Sequence, residues 1–485
     1  MPSDDAEYVN LDVTGYHYLK LFADDNNQNA NDHSVYADAR LVKDGYNIAD
    51  EKIDLKTVQQ FDEEIAARYT QDSPMEGELL NLTLKRTFVK RYGYSTIQQV
   101  ATQSPENKKA IEYILDNQKV LNYFVTGGEK DGGSYSNVLL AWCKLYQAYG
   151  ADFEQDMYLK MAVSLSIANA QNIVFWTGAS DPSDPVERYG IYKNLITSGL
   201  MDEGGSVDDF AALPVELMRW VMNNMIHDDE INWLVNLALQ RKSNGKNFED
   251  AYEYILYTTG FNYGQYKYHT KNQYDGTDPN LQGKTYYEIW NEKWHIDGFD
   301  RYEDNNYHRL WMVFQEGAVC GGLAKTYTNL AQVFGKPAAV VGQPGHAASI
   351  EYNYRGSGKW TIQNNISGWL GSEKGERMPL GWGSTNWDSY YSVIYILLAQ
   401  RAFNDYENLE KAIYYNALAD VFTDNGTKMA CYENALKAQS FNMDAMVGLI
   451  NTYKADQSKT SHDYLELAKR IVTQYTFYPQ QMLDI

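Results

Sequence analysis

Apolar residues recur every three to four positions from about residue 56 to residue 242, the period of one helix face. TVQQFDEEIAARYT, GELLNLTLKRTFVKRYG, NKKAIEYILDNQKVLNYFV and SNVLLAWCKLYQAYG each carry the pattern, and DMYLKMAVSLSIANA continues it. Pro214 stands near the start of PVELMRWVMNNM, behind Asp208 and Asp209, and the acidic opening of DDEINWLVNLALQRK suits the positive end of a helix dipole. Residues 56–242 are therefore expected to form an α-helical domain of paired helices. Residues 1–55 are polar and rich in Asn and Asp, with few apolar positions, and predict an extended or turn-rich lead-in.

The pattern changes at residue 243. Residues 243–313 are rich in Tyr, Trp, Gly and Asn and read as long ordered loops with short elements. Next, Ala324, Tyr327, Thr328, Leu330, Ala331 and Phe334 recur at helical spacing, so a helix is expected to begin near Cys320. Gly335-Lys336-Pro337 ends it. Ala338 to Gly342 reads as a short buried strand, and Gln343-Pro344-Gly345 as a turn. His346 opens a second strand through Ser349, Ile350, Glu351 and Tyr352, and Arg355-Gly356-Ser357-Gly358 makes a hairpin turn. Trp360 to Asn364 forms a third strand. From about 388 the chain is helical again; residues 401–485 are similar to tetratricopeptide-like helix pairs, the best unit running from Lys428 to Tyr453.

The candidate chemistry lies in FQEGAVCGGLAKTYTNLAQVFGKPAAVVGQPGHAASIEYNYRGSGKWTIQNNISGW. Cys, then His, then Asn is the order of a nucleophile, its base and the group that orients the base. Gly317, Ala318, Gly321 and Gly322 let backbone and substrate approach the sulfur of Cys320. A thiol at a helix N-terminus meets unpaired N–H groups and the positive end of the dipole, which favour the thiolate. Backbone N–H groups there can also face an oxyanion. A lone Cys or a lone His is more often a core residue than a catalyst; Cys143 and Cys431 fit that plain reading inside helical patterns. Cys320 and His346 together, with the right elements between them, point to a pair.

This order resembles the core of the transglutaminase-like superfamily of papain-like thiol enzymes. Its members have a Cys at a helix N-terminus, a strand, a His-bearing strand, and a strand ending in Asp or Asn. The resemblance implies Cys320 as nucleophile, His346 as base and Asn364 as third member, four residues after Trp360, where many members carry Asp. An Asn orients an imidazole but does not stabilise imidazolium by charge; the adjacent Asn365 is an alternative. Gln315, or else Trp311, is the candidate second oxyanion donor, with a solvated loop residue as the plain reading of Gln315. GAVCGG with QPGHAA is similar to a bacterial subgroup that includes secreted, multidomain cell-surface proteins. The implied fold class is α+β, predominantly α-helical: a papain/transglutaminase-like core of helix and small antiparallel sheet within residues 243–400, flanked by the two helical regions.

Composition narrows the partners. The chain has 485 residues, long enough for two or three domains, and a net charge of −22, which argues against nucleic acid and anionic membrane surfaces. No stretch is apolar enough for membrane insertion. Three cysteines cannot pair completely and match no zinc spacing, so neither a disulfide framework nor a metal or cofactor is expected. Asp275 and Asp278 in YDGTDPN lack the ligand spacing of an EF-hand. The chain carries 41 Tyr and 11 Trp. Trp311, Trp369, Trp382 and Tyr327 are candidate substrate-binding residues, with helix and loop packing as the alternative. The acidic opening MPSDDAEYVNLDV is not a signal peptide. It fits either a mature secreted or cell-surface fragment or a cytoplasmic protein. The expected activity is thiol chemistry on amide or isopeptide bonds of peptides, proteins or cell-wall material. The alternative is a non-catalytic surface module that binds glycan or peptide.

Overall fold

The computed structural model describes residues 52–236, 320–363 and 401–482, apart from residues 71–72, 131, 171–182, 229, 233–234, 344–345, 355–357 and 477–481, together with residue 279. The described residues belong to the compact unit that runs from Ile48 to Ile485. The lead-in up to residue 51 and the aromatic loops of 243–313, residue 279 excepted, lie outside them.

The chain is a mainly helical α+β protein, as expected. The N-terminal helices are α1 (Val58–Arg68), α2 (Gly77–Tyr92), α3 (Tyr94–Ala101), α4 (Pro105–Asp116), α5 (Gln118–Thr126) and α6 (Tyr135–Tyr149). They continue with α7 (Asp156–Ala168), α8 (Pro185–Thr197), α9 (Met201–Gly204), α10 (Val207–Ala212) and α11 (Val215–Met222). Their starts follow local capping chemistry. Thr57 and Gln60 form a reciprocal capping box at α1, and Ser104 caps α4 just ahead of Pro105. Asn117, Ser134 and Asp184 accept backbone N–H groups at α5, α6 and α8. Pro214 is the N-cap residue of α11.

Then come α12 (Cys320–Val333) and three strands, β1 (Ala338–Gln343), β2 (His346–Asn353) and β3 (Lys359–Gln363). The strands form one antiparallel sheet in the order β1-β2-β3. The C-terminal helices are α13 (Tyr406–Ala419), α14 (Asn425–Ala438), α15 (Met443–Ala455) and α16 (Ser461–Gln474). No helix among the described residues is long and apolar enough to cross a membrane.

Among the described residues, a large hydrophobic cluster runs from Ile53 to Tyr475 and takes in both helical regions. Trp142 is fully buried, donates Nε1–H to the Ala110 carbonyl at 2.8 Å, and meets Phe124 edge-on at 5.3 Å. The two helical regions share this core rather than forming separate bodies. Tyr69 packs on Phe422 with ring centroids 5.0 Å apart. Polar contacts reinforce the join. Buried Arg86 donates to Asp62 at 2.8 Å and to the Asp420 carbonyl at 3.0 Å, and Asn122 donates to Glu410 at 2.9 Å.

Candidate active site

The segment that begins at Cys320 is held from behind by the N-terminal helices. Helix α12 ends in a Schellman motif: Lys336 N–H donates to the Ala331 carbonyl and Gly335 N–H to the Gln332 carbonyl, each at 3.0 Å. Gly335 has φ +76, the left-handed region that this motif requires and glycine adopts without penalty. Phe334 lies against the backbone of Gly204 and Gly205; a Cβ on Gly205 would stand 2.0 Å from the Phe334 carbonyl oxygen. Asn224, fully buried, donates to the Asn329 carbonyl at 3.0 Å. The Tyr192 hydroxyl lies 3.2 Å from both the Gln332 and Val221 carbonyls. Arg188, also fully buried, pairs with Asp228 and donates to the carbonyls of Asn224 and Ile226, fixing the stretch that carries Asn224.

The short link after α12 turns the chain straight back into β1, so helix and strand run in opposite directions and α12 lies against β1 and β2. The first residue of α12 therefore points toward the end of the sheet where β1 finishes, β2 starts and β3 finishes. Cys320 is the first residue of α12, and His346 is the first residue of β2, paired with Gln343. Gln363 is the last residue of β3, paired with Ser349. Asn364 and Asn365 follow directly but lie outside the described residues, as do Gln315, Trp311, Trp369, Trp382 and the pair Asp275 and Asp278.

Two periodicities locate the positions further. In α12, position 320 shares a stripe with Ala324, Tyr327 and Ala331, each a whole number of turns away. That stripe meets the sheet: Tyr327, Ala331 and Ala338 form one buried cluster, and Ala338 pairs with Glu351. Tyr327 was a substrate-binding candidate from its sequence; it is instead 9% exposed, with its hydroxyl donating to Glu351 Oε2 at 2.6 Å. Its side chain joins helix to sheet. No sequence signal tied Tyr327 to Glu351, because the two lie on different elements.

Along β2 the side-chain faces alternate. Ser349 shares the face of Glu351 and α12. Position 346 falls on the other face, with Ile350 and Tyr352. Tyr352 packs on Phe403 with ring centroids 6.1 Å apart and donates its hydroxyl to Asn404 at 2.7 Å. Position 320 lies about 10 Å along the helix from Tyr327, and position 346 about 17 Å along the strand from Glu351. Both thus reach the same end of the unit, on opposite faces of the sheet.

The helix and the sheet also bury polar groups. Thr328 Oγ1, Gln332 Oε1 and Ser349 Oγ are buried and have no hydrogen-bond partner among the described residues. Buried hydroxyls in this condition commonly hold an ordered water. The other two thiols are set apart from this end. Cys143 is 1% exposed and Cys431 fully buried, and burial pushes their thiols up to about 12 and about 11. Among the described residues no group of three or more His, Cys, Asp or Glu is placed to hold a metal ion.

No family model, curated protein or solved structure matches the chain.

Proposed function

We propose that this chain is a transglutaminase-like thiol enzyme acting on amide or isopeptide bonds through Cys320, His346 and Asn364, within a papain-like core. The observation that carries the reading is the convergence of a helix beginning at Cys320, a strand beginning at His346 and a strand finishing at Gln363 on one end of a single helix–sheet unit. The Cys320 thiolate attacks the amide carbonyl, and the oxyanion is met by backbone N–H groups of the first helical turn and by Gln315. Imidazolium at His346 gives its proton to the leaving amine, the C–N bond breaks and a thioester remains. Water or a second amine, deprotonated by His346, then releases the acyl group. Peptides, proteins or cell-wall material, with aromatic loops around Trp311, Trp369 and Trp382, are the proposed substrates, and a secreted or cell-surface location fits them.

A second reading is favoured by the alternation along β2, which sets position 346 on the face away from α12: a non-catalytic module binding glycan or peptide. The pH-dependence of iodoacetamide labelling, mapped to each cysteine in the native protein and in His346→Ala, separates the two. The enzyme reading expects Cys320 to label rapidly at pH 6 and to lose that advantage without His346. Labelling of Cys320 no faster than a free thiol of pKa about 8.5, and unchanged in His346→Ala, rejects the enzyme and leaves the binding module.

A further inference from the structure

Away from the end of the sheet where β2 begins, a cleft with a volume of about 350 Å³ opens where residues 401–405 meet the junction of α14 and α15. This is the lower end of the range for small-molecule sites. Its wall includes Arg401, Asn404, Asp405, Lys437, Gln439 and Phe441. The Arg401 guanidinium carbon lies 4.2 Å from the centre of the Phe441 ring, so the flat cation is stacked and oriented. Lys437 Nζ touches the Asn434 amide oxygen at 3.3 Å and has no carboxylate in ion-pair range among the described residues. Gln439 is 8% exposed, and its Nε2 has no hydrogen-bond partner among them. The Gln439 amide oxygen accepts from Asn442 at 3.4 Å, and a buried N–H donor left without a partner costs free energy that a ligand acceptor would recover.

We propose that this cleft binds a zwitterion of dipeptide size, its carboxylate held by Lys437, Gln439 and Arg401. A planar carboxylate suits a stacked guanidinium and an amide N–H. Asp405 is held in place by two bonds from the Asn408 amide, at 2.9 and 3.1 Å. Its negative charge in the same cleft disfavours a phosphate dianion and attracts the ligand's ammonium group. Asn404 ties the cleft to the sheet by donating to the Gly358 carbonyl at 3.0 Å and accepting from the Tyr352 hydroxyl. Those contacts are at the end of β2 away from His346, about 20 Å along the strand, so the cleft is a site separate from the Cys320 and His346 positions.

Calorimetric titration of the full chain tests this with Ala-Ala, its C-terminal amide, N-acetyl-Ala-Ala and inorganic phosphate. Ala-Ala is expected to bind. Amidation, Lys437→Glu and Gln439→Leu should each weaken it at least about tenfold, the loss of one charge-assisted contact, while N-acetylation weakens it less than amidation does. Cys320→Ala should leave the affinity unchanged. The proposal is overturned if Ala-Ala gives no binding heat, if the amide binds equally well, if phosphate binds more tightly, or if Lys437→Glu has no effect in a protein whose circular dichroism is native. Loss of binding in Cys320→Ala would likewise overturn it, because the ligand would then sit at the thiol.

Discussion

The hydroxyl of Tyr327 donates to Glu351 Oε2 at 2.6 Å, joining the middle of the thiol helix to the central strand of the sheet. Seven residues separate Tyr327 from Cys320, and five separate Glu351 from His346, so this bond ties together the two elements that begin at the candidate positions. A hydrogen bond to a charged group contributes about 1.5–3 kcal/mol. Tyr327→Phe should lower stability by that amount in urea unfolding, and Glu351→Gln, which keeps an acceptor, by less. A loss below about 0.5 kcal/mol in Tyr327→Phe would show that the apolar packing of Tyr327 against Ala331 and Ala338 carries the contact alone.

The three thiols should separate cleanly in their reactivity. Cys143 and Cys431 are buried, and their raised pKa values keep them protonated at neutral pH. Peptide mass mapping after brief iodoacetamide treatment at pH 7 is expected to find both unlabelled in the native protein and labelled in urea. Native labelling of either one would contradict its burial.

The close approach of Phe334 to Gly205 makes a small substitution costly. A methyl group on Gly205 meets the Phe334 carbonyl oxygen, a backbone atom that cannot swing away. Gly205→Ala should destabilise the protein by about 1–3 kcal/mol, the usual cost of overpacking, and should raise hydrogen exchange at the end of α12. Exchange rates that stay unchanged would mean that the α9 turn does not hold the helix.

Glu410 should give the stability a pH-dependent component. Burial pushes its carboxyl above the ordinary value of 4.5, and the Asn122 amide bond offsets only part of this. A carboxyl with a raised folded-state pKa binds its proton more tightly when folded. Its contribution is therefore present below the unfolded pKa and fades as the pH rises through the folded value. Glu410→Gln has no such proton to lose. Between pH 4.5 and neutrality the wild type should lose stability relative to Glu410→Gln in urea titrations. A constant difference over that interval would remove Glu410 from the account.

Much of the local architecture was legible in the chain. The helix starting at Cys320, its stop at Gly335, the strand opening at His346 and the three-strand order all follow from period, glycine placement and turn residues. So do the capped helices on either side, because a side-chain cap or a Schellman glycine acts within a few residues of itself. Tyr327 shows the limit. Its place in the helical period marked one face of α12 but not whether a groove or a strand lay opposite.

The sequence by itself determined the helices and strands of the described segments and placed Cys320 at a helix start and His346 at a strand start, since those choices depend on neighbours within about one turn. Only the tertiary structure decided that α2 and α5 meet α13 through Arg86, Asn122, Asp420 and Glu410, closing one core across some three hundred residues. It also decided that α12 covers the Glu351 face of β2 while position 346 falls on the other. Both were hidden for the same reason. A two-residue or 3.6-residue period tells which positions share a face, but what covers that face is fixed by the packing of distant segments, whose shape and polar complementarity leave no periodic trace in the chain.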